Sequence, residues 1–232
     1  MKNVINVRLL ICLSVLFVSN ACTKSKDADN ASGTKEASAL NLEKRSISRN
    51  FAEEPKTMDA QKASDAIGIS LLGHTHEGLT RLDPRNKAFA AQAISWKILS
   101  PTKYSFKIRK GAVWSDGKQV TAQDFVHGWR RGLDPKLASE YAFMLYIIKN
   151  GKAINEGKMP LSKLGVVATS DMTLMVELER PVAYVLRLLS FPTFYPARED
   201  ITKKHGANFA ADADKMLYNG PFFIKSWKHN AS

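Results

Sequence analysis

Few residue types in this chain are grouped so that they could do chemistry. His74-Thr75-His76-Glu77 is the one cluster with metal-ligand character. A zinc site needs imidazole and carboxylate donors that converge on one point. Histidines two positions apart diverge on a helix and converge on a strand. His74, His76 and Glu77 could therefore serve a secreted metal-dependent hydrolase only in extended chain, and on a helix they are structural or incidental. No H-E-x-x-H spacing occurs. Ser70 lies in Gly68-Ile69-Ser70-Leu71-Leu72-Gly73, which is not the G-x-S-x-G elbow of an activated serine. Asp83, Asp116, Asp124 and Asp134 stand beside Gly, Pro or helix starts, where carboxylates serve turns and caps. No constellation requires catalysis, a metal or another cofactor.

The formal net charge of +12 over 232 residues invites a nucleic-acid reading. The cations are dispersed, however, and the densest groups are pairs such as Arg130-Arg131 and Lys203-Lys204. Without a basic helix stripe or a zinc-finger or RNP-type signature, the charge reads as a solvated basic surface, not a nucleic-acid site. Weak attraction to anionic lipid is compatible with it.

Lys2 and Arg8 precede an apolar run over residues 9–18, long enough for a signal-peptide core and too short to span a bilayer. Ser19-Asn20-Ala21 supplies a small-residue cleavage site, so residues 1–21 read as a signal peptide and Cys22 as the new N-terminus. The arrangement resembles the lipobox of bacterial lipoproteins, although Ser19 stands where such boxes carry a large aliphatic residue. Two readings of Cys22 stay open: a lipid-bearing anchor, or an incidental residue beside a soluble-protein cleavage site. Of the two cysteines, Cys12 leaves with the signal peptide, and no intrachain disulfide can form. Residues 22–39 carry hardly any large apolar side chain and read as a flexible tether.

From Leu40 onward the pattern is mixed α and β. Residues 66–72 are mainly apolar, and 74–79 form a short helical candidate. Tyr104, Phe106 and Ile108 alternate with polar residues, as Leu174, Val176 and Leu178 do, marking two half-buried strands. Ser115-Asp116-Gly117 predicts a tight turn. Thr121 with Asp124 three residues on predicts a capped helix over residues 122–131, stopped by Gly132. Pro181 predicts the first turn of a helix over residues 182–189, with Phe191-Pro192 and Tyr195-Pro196 returning the chain to an extended form.

These segments, read together, resemble the oligopeptide-binding family of ABC-transporter solute-binding proteins. The resemblance rests on Glu77-Gly78-Leu79-Thr80-Arg81-Leu82-Asp83, Tyr104-Ser105-Phe106-Lys107-Ile108-Arg109-Lys110-Gly111 and Trp114-Ser115-Asp116-Gly117. It continues through Val120-Thr121-Ala122-Gln123-Asp124-Phe125-Val126, Leu133-Asp134-Pro135, Phe191-Pro192-Thr193-Phe194-Tyr195-Pro196 and Asn219-Gly220-Pro221-Phe222. Departures are Met58-Asp59-Ala60 for Leu-Asp-Pro, Ile94 before Ser95-Trp96, Glu140 before Tyr141, and a chain less than half the family's length.

The resemblance implies a mixed α/β, periplasmic-binding-protein-like type II fold with the extra small domain of the peptide-binding class. Residues 40–76 would begin the first lobe, 77–200 would form the small domain, and 201–232 would return to the first lobe, with the second lobe missing. It further implies that Ser64, Asp65 and Ala66 are the strand segment pairing with a bound peptide, and that Tyr141 lines the pocket. For Tyr141 the alternative is a core aromatic. The implied ligand is an oligopeptide, the implied partners are the membrane subunits of an ABC transporter, and the implied place is the periplasm or outside the cytoplasmic membrane.

Overall fold

The computed structural model describes residue 51 and residues 53–229. The signal peptide expected over residues 1–21, Cys22, the tether expected over residues 22–39 and residues 40–50 lie outside the described residues. The first helix, α1 (Ala66–Thr75), starts where Asp65, extended at φ −90° and ψ 153°, accepts a hydrogen bond from the Gly68 N–H at 2.7 Å. A short acceptor side chain satisfies one of the amides that a helix start leaves unpaired. At the other end the His76 N–H donates to the Leu72 carbonyl at 2.8 Å, and His76 itself is extended.

The helix expected over residues 74–79 is therefore not formed. His74 and Thr75 are the last turn of α1, and residues 76–79 run irregularly into β1 (Thr80–Leu82). Close passage of the chain explains it: a Cβ on Gly78 would lie 2.5 Å from the Leu189 carbonyl oxygen. Strand β1 pairs antiparallel with β2 (Ala88–Ala90).

Four antiparallel strands form the main sheet: β3 (Ala93–Ser100), β4 (Lys103–Ile108), β5 (Val166–Ser170) and β6 (Thr173–Glu177), in the order β3-β4-β6-β5. Trp96, Phe106, Leu174 and Ala168 stand in one register row, and Ile98, Tyr104, Val176 and Val166 in another. Period-two alternation puts both rows on one face, and the central residues of each are buried. The two strands expected from Tyr104, Phe106, Ile108 and from Leu174, Val176, Leu178 are present, with all six side chains buried.

Helix α2 (Ala122–Leu133) covers that face. Its start is as expected: the Asp124 carboxylate accepts the Thr121 N–H at 2.9 Å and the Trp114 indole N–H at 3.1 Å. Burial raises the Asp124 pKa, against these hydrogen bonds and the nearby Arg198 charge. Phe125, Val126, Trp129 and Leu133 form the buried stripe. Gly132 does not stop the helix, which runs one residue further to an Asp134 cap. Its bare backbone instead admits Leu145, whose Cδ1 would sit 2.8 Å from a Cβ there. The Ser115-Asp116-Gly117 turn forms as expected, with Gly117 at φ +83°.

Two short helices follow, α3 (Gly151–Asn155) and α4 (Val185–Leu188). The latter is shorter than expected, and Pro181 lies outside it. Leu178 bridges Ile148, and the Glu179 N–H donates to the Ile147 carbonyl at 2.8 Å, so the chain is still paired two residues before Pro181 and the helix starts only at Val185. Helix α5 (Glu199–His205) comes last. Buried side chains gather in two clusters: one drawn wholly from residues 79–194, the other from Met58, Ala60, Ala63, Leu72, Tyr195, Ala210, Met216 and Tyr218.

Candidate functional site

Residues 58–66 and the turn at Tyr141 are distant in sequence and are tied by side chains. The Arg131 guanidinium donates to both Asp59 carboxylate oxygens at 2.7 and 2.6 Å and to the Gln61 side-chain oxygen at 3.3 Å. The Asp59 side chain is 2% exposed, so this is a bidentate pair removed from water. Gln61 donates its Nε2–H to the Tyr195 carbonyl at 3.0 Å, and its own carbonyl accepts from the Ser139 hydroxyl at 2.5 Å. The approach to Ser64 is thus pinned to α2 and to the chain two residues before Tyr141.

Beyond that pinned segment, Ser64 and Asp65 are half-buried and precede the helix, and Ala66 is its exposed first residue. These residues do not form a strand. The helix claims Ala66, and extended backbone is recorded at Asp65. What the segment presents is the open start of α1, where amides lack intrahelical partners. The Asp65 Oδ2 is buried without a hydrogen-bond partner among the described residues.

Tyr141 opens a 3-10 turn (Ala142–Ile147). Its half-buried ring stands edge-on to Phe143 at 5.8 Å and to Phe191 at 5.5 Å. The aromatic neighbours fix the ring, and no hydrogen bond to its hydroxyl is formed among the described residues. Phe143 in turn borders a cleft of about 780 Å³ with Met144, Tyr184, Leu188 and Arg180. A separate cleft of about 620 Å³, lined by Lys62, Arg131, Phe209 and Lys215 among others, includes neither Tyr141 nor residues 64–66.

The histidine cluster has structural duties. His76 is 6% exposed, and its Nε2 lies 3.0 Å from the Leu217 carbonyl while its Nδ1 lies 2.9 Å from the Thr75 hydroxyl. Burial lowers its pKa to about 4, against the Leu217 hydrogen bond and the Asp59 charge. The neutral ring then donates its Nε2–H to the Leu217 carbonyl. Glu77 pairs with Arg81 at 3.2 Å and accepts from Gln92 at 2.9 Å, and its backbone exchanges hydrogen bonds with the Asn219 amide at 3.1 and 2.9 Å. Among the described residues no three His, Cys, Asp or Glu side chains are grouped to hold a metal ion.

Sequence reasoning did not find the Asp59–Arg131 pair or the Ser139–Gln61 link. Their partners are 72 and 78 positions apart, and no local pattern encodes such a contact.

The geometry is a four-stranded antiparallel sheet under α2, with the segment before α1 tied to that helix and to the chain just before Tyr141. Residues 90–232 match the family model described as bacterial extracellular solute-binding proteins, family 5 Middle. The chain belongs to that family. It is 34% identical to the oligopeptide-binding protein OppA of Bacillus subtilis over 226 residues, 96% of this chain and 41% of that protein. It is 40% identical over 184 residues to the probable deoxycholate-binding periplasmic protein YgiS of Escherichia coli, covering 78% of this chain and 34% of that one.

Among solved structures, the substrate-binding domain of an oligopeptide ABC transporter from Bacillus anthracis superposes with a TM-score of 0.76 and 48% identity, over 78% of this chain and 35% of that one. OppA of Listeria monocytogenes bound to peptide superposes with a TM-score of 0.75 and 40% identity, over 76% and 35%. The fold is the mixed α/β architecture of these binding proteins, and the chain spans well under half the length of each.

Proposed function

We propose that the chain supplies one wall of an extracytoplasmic site that captures oligopeptides and delivers them to the membrane subunits of an ABC transporter, as a carrier and not an enzyme. The observation that carries this reading is the likeness, in sequence and geometry together, to a binding protein solved with its peptide. Such a site holds a peptide mainly through its backbone, while hydrated pockets tolerate most side chains. Residues 64–66 would offer backbone groups at the start of α1, and Tyr141 an aromatic lining already held in place by Phe143 and Phe191.

On the same reading residues 77–200 are the small domain, residues 40–76 and 201–232 belong to the first lobe, and a second wall would correspond to the part of the relatives' length that this chain does not span. The division of buried side chains into two clusters near residues 79 and 194 supports those boundaries. Export by a signal peptide cut before Cys22, with lipid on that thiol or without it, puts the site outside the cytoplasmic membrane.

Native mass spectrometry of the chain extended with its downstream coding sequence tests this. Expected are a mature N-terminus at Cys22 and a mixture of co-purifying peptides of unrelated sequence. The relative named as probably deoxycholate-binding favours a second reading, a steroid or other non-peptide solute. One uniform non-peptide adduct would replace the first reading with the second, and an intact Met1 would overturn export.

A further inference from the structure

The main sheet has a second face. Opposite the rows packed under α2 stand Ser95, Lys107 and Thr173 in one row, Lys97, Ser105, Met175 and Val167 in the next, then Lys103 and Glu177. Lys97, Lys103, Lys107 and Val167 are exposed, and Met175 is half-buried. The one carboxylate on this face, Glu177, lies 2.9 Å from Lys149 and 3.8 Å from Lys103. Lys97 and Lys107 have no carboxylate within ion-pair distance among the described residues. Beside them on the edge strand β3, Leu99, in step with Ser95 and Lys97, is 53% exposed.

We propose that this face rests on an anionic bilayer surface, with Lys97, Lys103 and Lys107 toward lipid headgroups and the aliphatic side chains of Leu99 and Val167 at their boundary. Charge complementarity selects the occupant. A pleated face on which Lys97 and Lys107 lack a carboxylate partner, with Leu99 and Val167 among them, matches a sheet of anionic headgroups over hydrocarbon. It lacks the exposed aromatic platforms and the groove that a single-stranded nucleic acid requires. Each Lys near an anionic surface strengthens binding roughly five-fold, and salt screens the effect. The orientation would hold the small domain sheet-down on the membrane, and it requires no lipid on Cys22.

The test is sedimentation of the full chain with vesicles of phosphatidylcholine alone and of phosphatidylcholine mixed with phosphatidylglycerol, at low and at physiological salt. Expected is binding confined to the anionic vesicles, weakened by salt, and reduced at least about 30-fold in Lys97→Glu/Lys107→Glu. The control Lys62→Glu/Lys204→Glu has the same net charge and changes exposed lysines off this face; it should bind within about two-fold of the parent. Equal loss in both variants would mean diffuse charge and overturn the proposal. So would equal binding to neutral vesicles, which marks the N-terminal apolar run as the binder, or no binding at all. Self-association abolished by Lys97→Glu/Lys107→Glu but not by the control would assign the face to a second copy instead.

Discussion

His76 shows most clearly how one side chain commits the molecule to a pH range. It is neutral in the fold because burial holds its pKa near 4, whereas in the unfolded chain it titrates near 6.5. Below 6.5 the unfolded state binds the proton and the native state does not, so stability is fully present above that value and falls as pH drops toward 4. Between pH 7 and 5 the loss should be about 2 kcal/mol. The His127 pKa is also lowered, chiefly by burial, and acts in the same direction; Asp124, raised by burial, opposes the trend at the acidic end. Urea midpoints measured at pH 7 and 5 should differ, and His76→Gln should flatten most of the difference. An unchanged slope in that variant would show that His76 is not buried neutral. The sequence set a metal-ligand reading of this residue beside a structural or incidental one, and could not name its duty because that depends on Leu217, 141 positions away.

At the scale of elements, local signals were readable where local chemistry decides. Alternation located β4 and β6, Asp124 opened α2, and Gly117 made its turn. They misled where tertiary contact decides, as at Gly132, read as a stop signal and found inside the helix against Leu145. Two glycines of α2 turn that distinction into a measurement. A Cβ at Gly128 would meet the Tyr195 carbonyl oxygen at 2.7 Å and the Ala197 nitrogen at 3.1 Å, both backbone atoms that no rotamer change can move. At Gly132 the nearest atom is the tip of the Leu145 side chain. Alanine gains about 1 kcal/mol of helix propensity at either position. Gly128→Ala should therefore destabilise by about 2 kcal/mol net, as overpacking does, while Gly132→Ala should be nearly neutral. Urea denaturation of the two variants should show this order, and the reverse would contradict the packing described. The same limit applied to the site: residues 64–66 and Tyr141 were reached through family resemblance, whereas the links that pin them join residues too distant for any local pattern.

For the whole molecule, the decisive quantity is enclosure. A peptide held between two walls loses its contact with bulk water and completes hydrogen bonds that neither wall supplies alone. On the proposed reading the described residues would contribute the start of α1 and the Tyr141 ring, and neither of the two clefts described above includes them. Loss of a wall that pairs a terminal charge costs several kcal/mol, and each ~1.4 kcal/mol is a factor of ten in affinity. Isothermal calorimetry with a mixed set of di- to oligopeptides, on the 232-residue chain and on the chain extended by its downstream coding sequence, measures this directly. The extended chain should bind many peptides with little side-chain preference, and the short chain at least about 100-fold more weakly. Equal, tight binding by the short chain would contradict the two-wall site, and no peptide binding by the extended chain would contradict a peptide carrier altogether.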